Sequence, residues 1–280
     1  MTQLQQLIRD RFGQENKSKR EFDDSVLNST LRSVLRRRSH RKYKANSVSV
    51  ELINTLLATA FSAPSKSDLQ QACVIVVDDK DRKTRIANSN PAVNWIANAP
   101  VFMVWCGDNR RIRKLCDARA HSFANDHLDS FMNAAVDAGI AMQTFIIAAE
   151  SVGLGCCPVS QVRDSIDVLS ETLDLPRHVF PVAGLCVGWP AQKGDISMRL
   201  PLDVTVHNNV YRDDNMLSLV AAYDEAREQS QPTADESQRH TDLYGVSNSY
   251  GWSEDHTRQY AQSMRSDFGQ YIRNQGFCLD

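Results

Sequence analysis

The sequence predicts a globular chain that combines helices with short, buried strands. Two runs of β-branched and aromatic residues, CVIVV (73–77) and PVFMVWC (100–106), are typical of buried strands, and PVAGLCVGWP (181–190) indicates a central strand. Residues 128–151 are apolar on nearly all faces, the pattern of a buried helix. With 280 residues, 42% of them hydrophobic, the chain can form one large core or two modest ones, which excludes overall disorder.

The charge balance argues against nucleic acids and membranes as partners. The 32 Lys and Arg residues nearly balance 34 Asp and Glu residues, so an anionic partner would need a local basic patch. No stretch reaches the ~18 uncharged apolar residues that span a bilayer, and the N-terminus is charged where a secretory signal is apolar. Seven cysteines are scattered through apolar runs, as reduced thiols would be. We therefore expect a soluble, cytoplasmic protein.

Helix signals and polar loops succeed one another along the first half of the chain. Residues 1–35 have a polar, helical pattern. Ser49 can cap the next helix, which Pro64 stops, and the polar loop SAPSKSDLQQ (62–71) follows. After two strands comes the apolar helix 128–151, which ends at glycines. Its small residues allow a close approach by another helix, which fits a core helix and a subunit interface equally well.

The second half contains a helix, a strand and a polar stretch before a final helix. A helix is predicted over 162–173 and the central strand over 181–190, while residues 224–240 have the composition of a mobile linker. The last helix is predicted to start at Ser253 and to carry one apolar stripe, made of Tyr260, Met264, Phe268, Tyr271 and Ile272. Something outside the linker must cover that stripe.

Several common chemistries are excluded by their missing motifs. The chain has no C-x-x-C, H-E-x-x-H, G-x-S-x-G or P-loop sequence, so zinc, α/β-hydrolase and ATPase sites are not expected, and neither is any other metal site. Gly153-Leu154-Gly155 opens like a dinucleotide fingerprint, but Pro158 stands at the third glycine position. We interpret this segment as a helix C-cap.

Three polar segments can carry chemistry. In RRRSHRKY (36–43), arginines and a serine offer the donors that a phosphate monoester needs, although most basic runs are solvated surface. In the 62–71 loop, Ser65, Ser67 and Gln70 can hydrogen-bond the edge of a planar heterocycle, or simply form a loop. Arg199 follows a predicted strand end, where ligands commonly bind.

In this order and spacing, the segments resemble the FMN-dependent nitroreductase and flavin reductase family, in particular its NADPH-dependent, oxygen-insensitive branch. The resemblance covers residues 35–280 and rests on six short motifs: RRSHRKY, SAPSKSDLQ, AAESVGLGCCPVSQVRDSI, GLCVGWP, RLP with VHNNVY, and WSEDH with FGQYIRNQGF. It implies an α+β fold, with a mixed central sheet in a three-layer α/β/α arrangement, and an intertwined homodimer that binds two FMN molecules at its interface.

The resemblance also implies a division of the chain. Residues 1–35 would be an N-terminal helical extension and residues 36–223 the FMN-binding core. Residues 224–252 would be a mobile linker, and residues 253–280 a C-terminal helix and arm that embraces the partner subunit.

The family's cofactor residues carry over onto this sequence as follows. The FMN phosphate would be held by Arg37, Arg38, Ser39 and Arg199. Arg41 would lie near the N1 and O2 edge of the flavin, where a cation stabilises the charge that reduction creates. Ser65, Ser67 and Gln70 would face the ring or the ribityl chain. The dimethylbenzene and N5 side would be lined by Pro158, Val159, Ser160 and Gln161.

The implied activity is ping-pong hydride transfer from NADPH or NADH, through FMN, to a small electron-poor acceptor such as a nitroaromatic, a quinone or a flavin. No catalytic acid or base is expected, because the chemistry occurs at flavin N5. Alternatives are a specialised reductive flavoenzyme of the same fold, such as a dehalogenase or an enal or oxime reductase, and a non-catalytic flavin-binding dimer.

Some positions depart from the family pattern. Ser197 replaces a lysine, Ser160 and Gln161 replace two glycines, and Leu243 and Asn248 replace arginines that recognise the 2′-phosphate of NADPH. Arg239 and His240 lie just upstream and could substitute for those arginines, so a modest preference for NADPH over NADH is expected.

Overall fold

The computed structural model describes residues 1–13 and 22–280. Its helices are α1 Gln3–Phe12, α2 Ser29–Arg36, α3 Val50–Ala60, α4 Lys80–Asn88, α5 Arg110–Ala118, α6 Leu128–Ser151, α7 Ile166–Thr172, α8 Leu202–Thr205, α9 Met216–Ser230, α10 Thr241–Tyr244, α11 Trp252–Tyr260 and α12 Phe268–Asn274. Its strands are β1 Ala72–Val76, β2 Val101–Asp108, β3 Gly155–Val159 and β4 Val179–Gly188. The chain divides into two compact units, the first Met1–Arg37 with Asp195–Met264 and the second Arg38–Gly194 with Arg265–Asp280.

The second unit is built on a four-stranded sheet of order β1-β2-β4-β3, in which all neighbouring strands are antiparallel. Successive residues of β2 are buried on opposite faces. Val101, Met103 and Trp105 pack with α3 and α6, whereas Phe102 and Val104 pack with α4 and α7. Because both faces are covered, β2 is a continuous apolar run rather than an alternating one.

These layers confirm the predicted α+β class. The sheet was expected to contain both parallel and antiparallel strands, but its four strands all pair antiparallel. Among the described residues, the parallel contact is a single isolated bridge between Ser39 and Cys156. The three strands predicted from the apolar runs are β1, β2 and β4, each within two residues of the expected bounds.

Helix α6 forms as predicted, over Leu128–Ser151, and stops where Gly153 takes a φ of 88°. By length and composition it could cross a membrane, a test that the core helix of a soluble protein also passes. One face, with Ala138, Ala141 and Phe145, is buried against the sheet. The opposite face leaves Leu128, Met132 and Val136 about half exposed.

The first unit contains α1, α2 and α8–α11. Within it, the predicted linker over 224–240 is wrong at its start, because α9 continues to Ser230. The acidic residues that suggested a linker accept hydrogen bonds instead: Asp224 from Ser253 N at 3.0 Å, and Glu228 from Tyr250 N at 3.3 Å. Short helical turns at Asp235–Ser237 and Thr241–Tyr244 follow. Of the predicted helical residues 1–35, 14–21 lie outside the described part.

The final helix was predicted to be continuous, which is wrong. It consists of α11 and α12, separated where Arg265 takes a left-handed φ of 54° that no α-helix accommodates. Tyr271 and Ile272 are buried within the second unit, beside Ala134 and Phe180. Tyr260 remains 83% exposed, so the chain itself covers only part of the predicted stripe.

The predicted helix over 162–173 begins as a 3₁₀ turn, Ser160–Ser165, and becomes α-helical at Ile166.

Candidate functional site

The loop after α3 is held in an unusual backbone conformation. Ser67, Asp68 and Gln70 have φ angles of 52°, 56° and 51°, in the left-handed region that non-glycine residues rarely adopt. Strain of this kind persists only where surrounding contacts impose it, and it is common at ligand sites. Ser67 and Gln70 are exposed and Ser65 is half-buried.

Those contacts come from a carboxylate on α6 and a guanidinium on α5. Asp137 is 3% exposed, and its two oxygens accept the backbone N–H groups of Lys66 and Gln71, each at 3.0 Å. From α5, Arg111 donates to the carbonyl oxygens of Gln70 at 3.1 Å and Ala72 at 3.0 Å. The loop is therefore clamped at both ends.

A cavity of about 380 Å³ lies beside this loop, which is within the size range of small-molecule sites. Its wall combines Phe61 and Pro64 with the polar residues Ser65, Gln70 and Arg111. An apolar wall with a few polar groups suits a planar heterocycle that has one polar edge.

The second part of the basic run lies along the edge strand β3. His40 N donates to Cys156 O at 3.0 Å, and Ser39 forms the bridge to the same cysteine. A Cβ atom on Gly155 would lie 2.7 Å from the His40 ring, so only glycine permits this approach. Ser39 and Arg41 are exposed here.

Tyr43 and Arg38 fasten the two ends of this segment. The Tyr43 hydroxyl donates to Cys186 O at 3.1 Å, and burial raises the pKa of Tyr43, so the hydroxyl stays protonated as a structural donor. Arg38 donates to Gly194 O at 3.1 Å.

Residues Pro158 and Val159 end strand β3, paired with Leu185 and Gly184 of β4. Ser160 and Gln161 follow in the 3₁₀ turn, exposed, and neither has a positive φ. The backbone therefore does not need glycine at these two positions.

In the first unit, Arg37 and Arg199 are brought together by their backbones. Arg11 of α1 donates to the carbonyl oxygen of Arg37, and Arg199 N donates to Arg11 O at 2.8 Å. The Arg199 side chain is exposed, and among the described residues its hydrogen bonds are long ones, of 3.3 and 3.4 Å, to the carbonyl oxygens of Ser197 and Met198. Two arginine-bearing segments thus meet although 162 positions separate them, which favours an anionic ligand.

The segment considered for the 2′-phosphate also lies in the first unit. Arg239 is bound through Nε to both oxygens of Asp255, at 3.1 Å, and its side chain is 45% exposed. His240 has a left-handed φ of 49°, and Leu243 is 59% exposed.

Three functional candidates were missed from the sequence: Asp137, Arg111 and Arg11. Asp137 had a signal, since it is the one carboxylate in the central, mostly apolar part of the helix, between Asp129 and Glu150 near its ends. Arg11 had none, because nothing in its neighbourhood in sequence indicates which carbonyl groups it meets. Among residues 1–13 and 22–280, no group of His, Cys, Asp or Glu side chains is arranged to hold a metal ion.

Comparison with known proteins identifies the family. Residues 34–189 match the Nitroreductase family and residues 197–280 match its C-terminal domain. The chain belongs to the nitroreductase family, which confirms the resemblance.

Similar proteins of described function include an FMN reductase [NAD(P)H] of Bacillus subtilis, which is 38% identical over 71% of this chain and 81% of the relative. An oxygen-insensitive NADPH nitroreductase of Salmonella typhimurium is 31% identical over the same shares. Among solved structures, NfrA2 of B. megaterium superposes with a TM-score of 0.82 at 30% identity, covering 91% of this chain and all of the other. The NADPH:FMN oxidoreductase of Vibrio harveyi, complexed with NAD+, gives 0.78 at 27% identity, covering 89% and 98%.

Proposed function

We propose that this protein is an FMN-dependent NAD(P)H oxidoreductase that reduces small electron-poor acceptors, such as nitroaromatics, quinones and flavins. The observation that carries the proposal is the strained loop 65–70, clamped by Asp137 and open to a cavity of about 380 Å³. The named relatives, which are FMN reductases and nitroreductases, support it.

The donor set fits FMN. The fork of an arginine guanidinium matches the geometry of a phosphate dianion, and the first unit brings the Arg37 and Arg199 segments together. Hydroxyl and amide groups for the polar edge of a ring stand at the cavity beside the loop. Bound at this site, FMN would supply the two-electron hydride-transfer chemistry that couples NAD(P)H to the acceptor.

The role of the chain's own residues is to bind and orient FMN. We propose that the phosphate is held by Arg37, Arg38, Ser39 and Arg199. Ser65, Ser67 and Gln70 then face the ring or the ribityl chain, and Arg41 places positive charge at the N1 and O2 edge. The N5 and dimethylbenzene side is lined by Pro158, Val159, Ser160 and Gln161. No side chain has to move a proton, so pre-organisation of these groups is the protein's contribution.

We further propose a homodimer in the cytoplasm. The half-exposed stripe Leu128, Met132 and Val136 on α6 supports a subunit interface, and the seven free thiols support a reducing compartment. In this proposal residues 36–223 bind FMN, and the part of residues 224–252 that follows α9 forms a linker. Residues 253–280 contact the partner subunit, and residues 1–35 are an extension.

For the hydride donor, we propose NADPH with a modest preference over NADH, about 10- to 100-fold in kcat/KM, or ~1.4 to 2.7 kcal/mol. The preference is modest because Leu243 and Asn248 offer no cation, and the Nε of Arg239 is engaged by Asp255.

Flavin binding and anaerobic bleaching test the proposal. The purified protein should be yellow, release FMN on heating and lose its visible flavin absorption when NADPH is added without oxygen. Arg199→Ala should weaken FMN binding by ~1.5 to 3 kcal/mol, while Arg212→Ala, an exposed arginine of the same unit, should not. Saturable FMN binding without bleaching would leave a non-catalytic flavin protein, and no saturable binding would refute the proposal.

A further inference from the structure

Helix α1 lies before the part of the chain that matches the nitroreductase family, which begins at residue 34. Its own sequence nevertheless defines where this helix starts and which face it buries. Thr2 and Gln5 form a capping box at its start, and Leu4, Leu7 and Ile8 are buried. A polar helix with good capping and one buried face holds its last turn in a fixed place.

That last turn carries Arg11, which is 6% exposed. Its guanidinium donates to the carbonyl oxygen of Leu35 through Nε at 3.1 Å and Nη2 at 2.8 Å, and also to that of Arg37. Nη1 donates to Ser197 O at 2.9 Å. One planar group therefore fastens two backbone segments that are distant in sequence.

The backbone of Arg11 completes the arrangement. Its carbonyl oxygen accepts Arg199 N at 2.8 Å, so Arg11 contacts the segment that leads into Arg37 and the segment that leads into Arg199. Five N–H donors in a rigid fork can span both, whereas a single ammonium group cannot. Ser197 takes part through its backbone carbonyl, which accepts the Arg11 Nη1 group.

We infer that Arg11 is a positioning residue for the phosphate of FMN. It fixes the spacing of the Arg37 and Arg199 segments so that their guanidinium groups meet one phosphate, and it adds a third positive charge beside them. This inference rests on the proposed function, because it takes Arg37 and Arg199 as the phosphate ligands. The extension thereby becomes part of the cofactor site.

The test compares FMN with riboflavin, which has the same ring and ribityl chain and no phosphate. In flavin-free, full-length protein, Arg11→Ala should weaken FMN binding at least tenfold and change riboflavin binding less than twofold. Arg11→Lys keeps the charge but not the fork, so the FMN affinity should fall at least threefold. Arg9→Ala removes the same charge from the same helix. The Arg9 guanidinium lies 3.9 Å from the Met1 sulfur, at the start of the helix, so this substitution should change neither affinity beyond twofold.

The outcomes distinguish a failure of the inference about Arg11 from a failure of the proposed phosphate site. If Arg11→Ala, or Arg11→Lys should the alanine variant not fold, loses FMN and riboflavin affinity in parallel, Arg11 is only structural and the inference is wrong. Unchanged FMN affinity would also overturn it. If the unaltered protein does not prefer FMN to riboflavin, the proposed phosphate site fails instead, whatever Arg11 does.

Discussion

At the residue scale, Asp137 shows how one buried carboxylate can shape a site by holding the backbone of a neighbouring loop. Its oxygens bracket the loop through Lys66 N and Gln71 N, and between these two anchors lie three residues with left-handed φ. A carboxylate is well suited to this role, since both of its oxygens accept and neither donates.

Asp137→Asn should therefore destabilise the loop. An amide keeps one acceptor but turns an NH₂ group toward a backbone N–H, which costs about 1 to 3 kcal/mol in a buried site. We expect this loss in urea-induced unfolding, together with weaker FMN binding as Ser67 and Gln70 relax. Asp129→Asn is the control, because Asp129 lies on the same helix, is exposed and accepts a hydrogen bond from the Asn133 side chain at 2.7 Å rather than from a loop backbone. Equal effects of the two substitutions would contradict the clamp.

The choice of nicotinamide cofactor is also a residue-scale question. Asp255 neutralises part of the Arg239 charge. Arg239→Ala should lower the NADPH-to-NADH ratio of kcat/KM about three- to tenfold, or ~0.7 to 1.4 kcal/mol, and Asp255→Asn should raise it. Stopped-flow flavin reduction with each cofactor measures the ratio. A parallel fall with NADH in Arg239→Ala would show that this arginine does not contact the 2′-phosphate.

At the scale of elements, the C-terminal helix α12 is attached through the turn before β4. His178 N donates to Gln275 O at 2.8 Å, and its ring Nε2 lies 3.1 Å from Gly276 O. The ring packs edge-on against Phe277, with centroids 5.9 Å apart. Burial lowers the pKa of His178, and the nearby Arg113 cation lowers it further.

This shift predicts how stability depends on pH. The unfolded chain binds the proton near pH 6.5, whereas the folded chain resists it, so the free energy of unfolding is highest above pH 6.5 and falls as the pH drops toward the lower folded pKa. His178→Gln keeps a donor for Gly276 O and should flatten the curve in this window. His121→Gln, at an exposed histidine, should leave the curve unchanged. A wild-type curve without this slope would contradict the argument.

At the scale of the whole molecule, α6 presents apolar side chains that the chain does not cover. Leu128, Met132 and Val136 recur at a spacing of four residues and are 51%, 59% and 48% exposed. A contiguous apolar face of this kind marks an interaction surface in soluble proteins, and subunit interfaces of enzymes are commonly large and apolar.

Met132→Glu should therefore dissociate the proposed dimer, because the interface would bury an unpaired charge. Sedimentation should show a monomer for this variant and a dimer for the unaltered protein. Leu115→Glu provides a matched control, since Leu115 is 51% exposed on α5 and should leave the dimer intact. A concentration-independent monomer of the unaltered protein, with FMN bound, would refute the dimer.

The strands and α6 could be predicted from sequence because burial leaves a pattern in consecutive residues. β2 is apolar throughout since both faces are covered, and α6 is apolar around its core face and its exposed stripe. The break between α11 and α12 left no such pattern. It depends on Arg265, whose Nε contacts Asp164, a residue 101 positions away.

The sequence by itself determined the family and the α+β class, because these are recorded in short motifs and in local periodicity, and the same motifs predict the segments proposed to bind FMN. Only the tertiary structure decided that Asp137 holds the loop from 66 to 71 positions away and that Arg11 reaches Ser197 across 186 positions. The physical reason is that a hydrogen bond between distant residues requires only one donor and one acceptor to meet in space. Such a contact imposes no periodicity on the residues around either partner.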